Sequence, residues 1–132
     1  MMMTEQTLKQ YLLSKPEAVE DFPFGPDAAV YKILGKMFAL VFRQQGEWRV
    51  NLKCDPQEAL ELRHVFAAVL PGYHMNKTHW NTVRLDGSLP AGEIERMVDN
   101  SYRLVVKGLR KAERRGLELR SSADAKDGNS GN

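Results

Sequence analysis

The stretch from Ala29 to Lys53, AVYKILGKMFALVFRQQGEWRVNLK, constrains this chain more than any other. It holds three runs rich in Val, Ile, Phe, Tyr and Trp, residues that suit a pleated, half-buried strand. The runs are Ala29–Leu34, Lys36–Arg43 and Glu47–Lys53. Gly35 separates the first two, and Gln45-Gly46 separates the second from the third. Loops this short join antiparallel neighbours, because a parallel pair needs a crossover of about a dozen residues. A three-stranded antiparallel meander is expected, and the rest of the chain must cover it.

The flanks supply helices. Thr4 is a candidate N-cap, and Leu8, Tyr11 and Leu12 follow at helical spacing until Pro16 closes the pattern. Phe22–Pro26 (FPFGP) reads as a rigid turn or extended loop, since each proline fixes its own φ and biases its predecessor away from helix. Asp55-Pro56 starts a second helix, with Asp at the N-cap, Pro at the first turn and Glu58 in the capping-box position. Ala59, Leu62 and Phe66 give it an apolar stripe, and Pro71-Gly72 breaks it. Tyr73–Met75 and Trp80–Leu85 read as two more short strands, the latter ended by Asp86-Gly87. Pro90 opens the longest helix, which runs to Leu119 with fraying at its end. The segment SSADAKDGNSGN, residues 121–132, has no large apolar side chain and is expected to be a disordered tail.

The resulting order is α-β-β-β-α-β-β-α. It implies an α+β fold of two layers, a five-stranded antiparallel sheet with helices on one face. At 132 residues the chain makes one domain, placed at 1–120. Hydrophobic residues at 42% and charged residues at 27% are ordinary for a globular domain that builds its own core. No apolar run approaches bilayer length, so no membrane partner is expected. The start, MMMTEQTLKQ, lacks the cationic and apolar regions of a secretory signal. Cys54 is the single cysteine and cannot form an internal disulfide. Together these features favour a cytoplasmic location. A monomer and a homodimer both remain open.

Charge is sorted along the chain. Residues 1–30 carry 2 basic and 5 acidic side chains, residues 31–54 carry 5 and 1, and residues 87–120 carry 8 and 5. The basic blocks point to an anionic partner, although solvated faces carry charge as well. Alternation sharpens the picture. Trp48, Val50 and Leu52 share one side of their strand, and Arg49, Asn51 and Lys53 the other. Val83 and Leu85 oppose Trp80, Thr82 and Arg84 in the same way. The face without helices should then carry Lys32, Arg49, Asn51, Lys53, Thr82, Arg84 and Trp80. On the last helix, Arg96, Arg103, Lys107, Arg110, Lys111 and Arg114 fall opposite the stripe of Ile94, Val98, Ser101, Val105, Leu109 and Ala112.

Pro71–Gly87, PGYHMNKTHWNTVRLDG, is the densest chemical stretch. His74 and His79 have no evident third ligand, so no metal is expected. Cys54 would need His64 or His74 beside it to act as a nucleophile, and no local signature supports that. The carboxylates are scattered, and neither GxxxxGK[ST] nor GxGxxG is present. No catalysis and no cofactor are therefore expected. Lys77, Asn76 and Asn81 can donate hydrogen bonds to phosphate or base edges, and Trp80 and Tyr73 offer stacking planes. The same residues also suit a hairpin whose tryptophan packs at the core edge and whose asparagines satisfy turn backbone.

KILGKMFALV (residues 32–41), VNLKCDPQEALELR (50–63), PGYHMNKTHWNTV (71–83) and SYRLVVKGL (101–109) resemble the MmcQ/YjbR family of small bacterial proteins. The resemblance covers Thr4 to Arg114 and implies a compact α+β fold like that of secretion chaperones. The family carries the label of a double-wing DNA-binding motif, so the resemblance implies DNA as a partner. Gly35-Lys36, Lys53, Tyr73, His74, Lys77, His79, Trp80 and Asn81 match the family motif, whereas Thr78 stands where many relatives have a second lysine. Nucleic-acid binding is the resulting expectation, with phosphates on Lys36, Lys53, Lys77 and Arg84. Tyr73 and Trp80 would stack, with His74, His79 and Asn81 beside them, and Lys107, Arg110, Lys111 and Arg114 would add a basic helix. The alternatives are a chaperone-like adaptor that binds protein on the same open sheet, and a small-molecule binder with a pocket around Tyr73, His74 and Trp80.

Overall fold

The computed structural model describes residues 2–130, with side chains described as far as residue 123. Its elements are α1 (Glu5–Leu13), β1 (Ala18–Asp21), β2 (Ala28–Ile33), β3 (Lys36–Gln44), β4 (Glu47–Lys53) and α2 (Pro56–Val65). Then come β5 (Val69–Pro71), β6 (Trp80–Arg84), α3 (Ala91–Lys107) and α4 (Lys111–Ser130). The strands form one antiparallel sheet in the order β1-β2-β3-β4-β6-β5. Both meander turns place two successive residues at positive φ, Leu34-Gly35 at 48° and 81° and Gln45-Gly46 at 54° and 72°. That backbone matches the twist of the flanking strands and fixes their register.

The α+β architecture is as the sequence implies, with three differences. Among the described residues the sheet has six strands rather than five. The extra one, β1, is only Ala-Val-Glu-Asp and follows Glu17 at φ 58°. Its two carboxylates are held by β2: Tyr31 Oη donates to Glu20 at 2.5 Å and Lys32 Nζ to Asp21 at 3.2 Å. Secondly, Tyr73–Met75 is not a strand. Val69–Pro71 pairs with β6 instead, an edge position where proline's missing N–H costs no ladder bond. Thirdly, the last helix is two helices. It breaks at Gly108, a poor helix former, and Leu109 just after the break and Leu117 within α4 both enter the core. The stretch 121–132, expected as a disordered tail, lies for the most part outside the residues whose side chains are described.

One core occupies the space between sheet and helices. Tyr31, Ile33, Phe38, Ala39, Val41, Val50, Leu52 and Val83 meet Leu8 and Leu12 of α1, Ala59 and Leu62 of α2, and Ile94, Met97, Val98 and Val105 of α3. A register shift after Tyr31 lets both Phe38 and Ala39 face this core. Ser101 of α3 ties the layers: its hydroxyl donates to Phe38 O at 2.6 Å and accepts from Lys53 N at 2.8 Å. Val30 and Phe42 are also buried but lie outside the main core, on the opposite side of the sheet. That side is therefore not bare. Among the described residues no helix is long and apolar enough to cross a membrane.

Candidate nucleic-acid interface

The loop from Gly72 to His79 decides what the sheet face without helices can do. It does not stand away from the sheet. Tyr73 N–H donates to Thr82 Oγ1 at 2.8 Å, Thr82 donates to Asn51 Oδ1 at 2.6 Å, and Asn51 Nδ2 donates to Tyr73 O at 3.0 Å. This closed ring of bonds explains why Asn51 and Thr82, expected on an open face, are buried. It also spends Tyr73's backbone on side chains, which is why no strand forms there. Gly72 makes the close approach possible, because a Cβ at that position would lie 2.8 Å from Trp80 Cβ and O. From the other side, Arg63 of α2 donates to Asn81 Oδ1 at 2.7 Å, to Trp80 O at 3.3 Å and to Lys77 O. Lys77 in turn donates to Gly72 O at 3.0 Å.

The expected sheet-face residues therefore separate. Tyr73 stacks on Phe42, with ring centroids 5.7 Å apart, and stays 42% exposed. His74, at φ 57°, tilts against Tyr73 at 4.0 Å. Trp80 is half-buried opposite Lys53 in the β4–β6 ladder, and His79 is exposed. Asn81 does not join them. It points to the helix-covered side, where its amide donates to Ala59 O and its carbonyl accepts from Arg63. Lys77 is turned back onto its own loop. Arg84 is not a free cation either: it grips Glu47 through two bonds of 2.7 and 3.0 Å, and Arg49 adds a third at 3.1 Å. These arginines hold the Glu47 carboxyl below the usual carboxylate range, Arg84 most strongly. Lys32 is likewise paired with Asp21.

Free cations gather elsewhere. Lys36 opens β3, and Lys53 closes the antiparallel β4, so both stand at the same end of the sheet. The Ser101 bridge brings the C-terminal half of α3 to that end. Arg103 and Lys107 stand exposed on its outward side with no carboxylate partner among the described residues, and Lys111 opens α4 equally unpaired. Arg110 is bonded to Glu113 at 3.0 Å, and Arg114 is half-buried. Glu113 sits below its ordinary range chiefly through Arg110, with Lys36 adding a smaller pull across the gap between β3 and α4. Five cations and one carboxylate lie between residues 107 and 115. The site is thus a basic sheet end continued by the α3–α4 corner.

Comparison with known proteins follows the same outline. A family model described as YjbR matches residues 13–104. The chain belongs to the YjbR family. YjbR of Escherichia coli K12 is 38% identical over 115 residues, 87% of this chain and 98% of its own length. YbdF of Escherichia coli O157:H7 is 36% identical over 110 residues, 83% of this chain and 90% of its own. The crystal structure of Deinococcus radiodurans protein DR2400 superposes with a TM-score of 0.80 at 41% identity, covering 89% of each chain. The YjbR match takes in the whole sheet and the folded-back loop. It stops at Leu104, before Lys107, Arg110, Lys111 and Arg114.

Arg63 and Glu47 are the residues that sequence reasoning did not single out. Glu47 was legible in principle as the only carboxylate between residues 31 and 54, flanked by strand arginines. Arg63 carried no comparable signal, since its partners are 14 to 18 residues distant.

Proposed function

We propose that this protein binds nucleic acid through the phosphate backbone, at the basic sheet end and the α3–α4 corner rather than across the middle of the sheet. One observation carries the reading: Lys36, Lys53, Arg103, Lys107 and Lys111, on four elements toward one end of the sheet, have no carboxylate partner among the described residues, while Arg49, Arg84 and Lys32 of the sheet face are neutralised. Five unpaired cations at one end focus a positive potential on a polyanion, and each phosphate contact releases condensed counterions. The family's DNA-binding label supports the same reading. A cytoplasmic setting goes with it, and no catalysis is assigned.

Salt titration tests it. Affinity for duplex and for single-stranded DNA is measured by fluorescence anisotropy between about 50 and 200 mM salt. Lys36→Ala/Lys107→Ala/Lys111→Ala is expected to flatten the log–log slope by about 2 to 3 units. Arg49→Ala/Arg84→Ala should leave the slope unchanged. Equal slopes for wild type and the lysine variant, or no binding by wild type, would overturn the proposal.

A further inference from the structure

We infer that the polymer held at the basic end is single-stranded, with unpaired bases stacking on Tyr73 and the neighbouring Trp80 edge of the outer sheet face. The inference rests on the phosphate-binding reading above and adds the strand type to it. Groove reading needs an element that protrudes, and none of the basic elements offers one. The Gly72–His79 loop is pinned down by Asn51, Thr82 and Arg63, so it is not a wing free to enter a groove. The outward stripe of α3 begins with Arg96, which is tied to Glu58 at 2.9 Å and Glu93 at 2.6 Å. Only Arg103 and Lys107, one turn apart, remain free on it, which is too little to read a groove.

What the outer face does offer is a fixed aromatic step. Tyr73 lies nearly parallel to Phe42, at 19°, with the His74 ring 4.0 Å away at 57°, so the step a base meets is Tyr73 and His74 together. The backbone N–H and C=O of Tyr73 are both bound, so the ring is held without help from a ligand. It is one of the few large side chains left exposed on this side of the sheet. Trp80 follows across the Gly72 contact, and Lys53 stands directly opposite it in the ladder. A strand whose bases lie on Tyr73 and Trp80 therefore brings its phosphates to Lys53, and onward round the sheet end to Lys36. Stacking of this kind tolerates any base, because every base has a π-face, and a duplex offers no such face except at its ends.

The test uses labelled oligothymidylate, oligouridylate and a hairpin duplex of equal nucleotide count. The proteins are wild type, Tyr73→Phe, Tyr73→Leu and the triple lysine variant above. Circular dichroism checks that each is folded. Tyr73→Leu should weaken one or both single strands about tenfold or more and leave the duplex unchanged, whereas Tyr73→Phe keeps single-strand affinity. Comparing the two single strands shows whether the sugar matters. If Tyr73→Leu binds single strands as wild type does while the lysine variant loses them, the stacking inference fails and phosphate binding stands. If wild type binds neither polymer, both fall.

Discussion

Ser101 is wholly buried, and both functions of its hydroxyl are used on different strands. Replacing it with alanine removes a small group from the interior but strands the Lys53 N–H and one lone pair of Phe38 O. Unsatisfied buried groups cost about 1–3 kcal/mol each. Ser101→Ala should therefore lower unfolding free energy by about 1–3 kcal/mol in urea titration. A change within error would mean that water replaces the hydroxyl. Helical spacing already sets Ser101 on the stripe with Val98 and Val105, so its side of the helix is legible. The reason for a hydroxyl there is not, because Phe38 is 63 residues away. Asn81 teaches the same lesson from the other direction. Its polarity suggests an exposed recognition residue, but alternation in β6 puts it with Val83 on the covered face, and the structure pairs it with Arg63 there.

At the scale of elements, short local loops were readable and side-chain-built loops were not. Gly35 and Gln45-Gly46 announce the meander, and Asp55-Pro56 announces α2, whose N-cap Asp55 accepts from Glu58 N as expected. The Gly72–His79 loop has no such local grammar; its shape comes from Asn51, Thr82 and Arg63, residues on other elements. Among the described residues, Arg63 is the single outside residue that reaches both its Lys77 end and its Trp80 end. Arg63→Ala should release the loop while the sheet persists, since charge-assisted bonds of this kind contribute about 1.5–3 kcal/mol. Limited trypsin digestion reads this directly: cleavage after Lys77 should accelerate at least about tenfold. Arg63→Lys should not restore protection, because an ammonium cannot span the two carbonyls and the Asn81 amide as a planar fork does. An unchanged cleavage rate in Arg63→Ala would show that the Asn51–Thr82 ring alone holds the loop.

Across the whole molecule, charge sorting was visible in the sequence, but its neutralisation was not. The acidic residues near the start find cations from distant segments, Glu17 with Arg120 and Asp21 with Lys32, and each pairing holds its carboxyl below the ordinary value. A carboxyl lowered in the folded state contributes stability above its unfolded pKa and loses it as pH falls through the folded one. Acid destabilisation should thus begin only in the carboxylate range. The alkaline side behaves oppositely. Burial, aided by Glu58 and Asp55, pushes the Cys54 thiol from its ordinary 9.0 up to about 11. Burial also pushes the Tyr102 phenol up to about 12 and raises Tyr31, whose ordinary value is 10.0. A raised pKa stabilises the fold below the unfolded value and is lost as pH rises through the folded one. The urea midpoint should therefore hold to about pH 9 and then decline, first through Cys54 and then through the tyrosines. Cys54→Ala should postpone the onset to about pH 10, where the tyrosines take over. Were wild type and Cys54→Ala to decline from the same pH, the thiol would not be held neutral by the interior that α2 and α3 build around it.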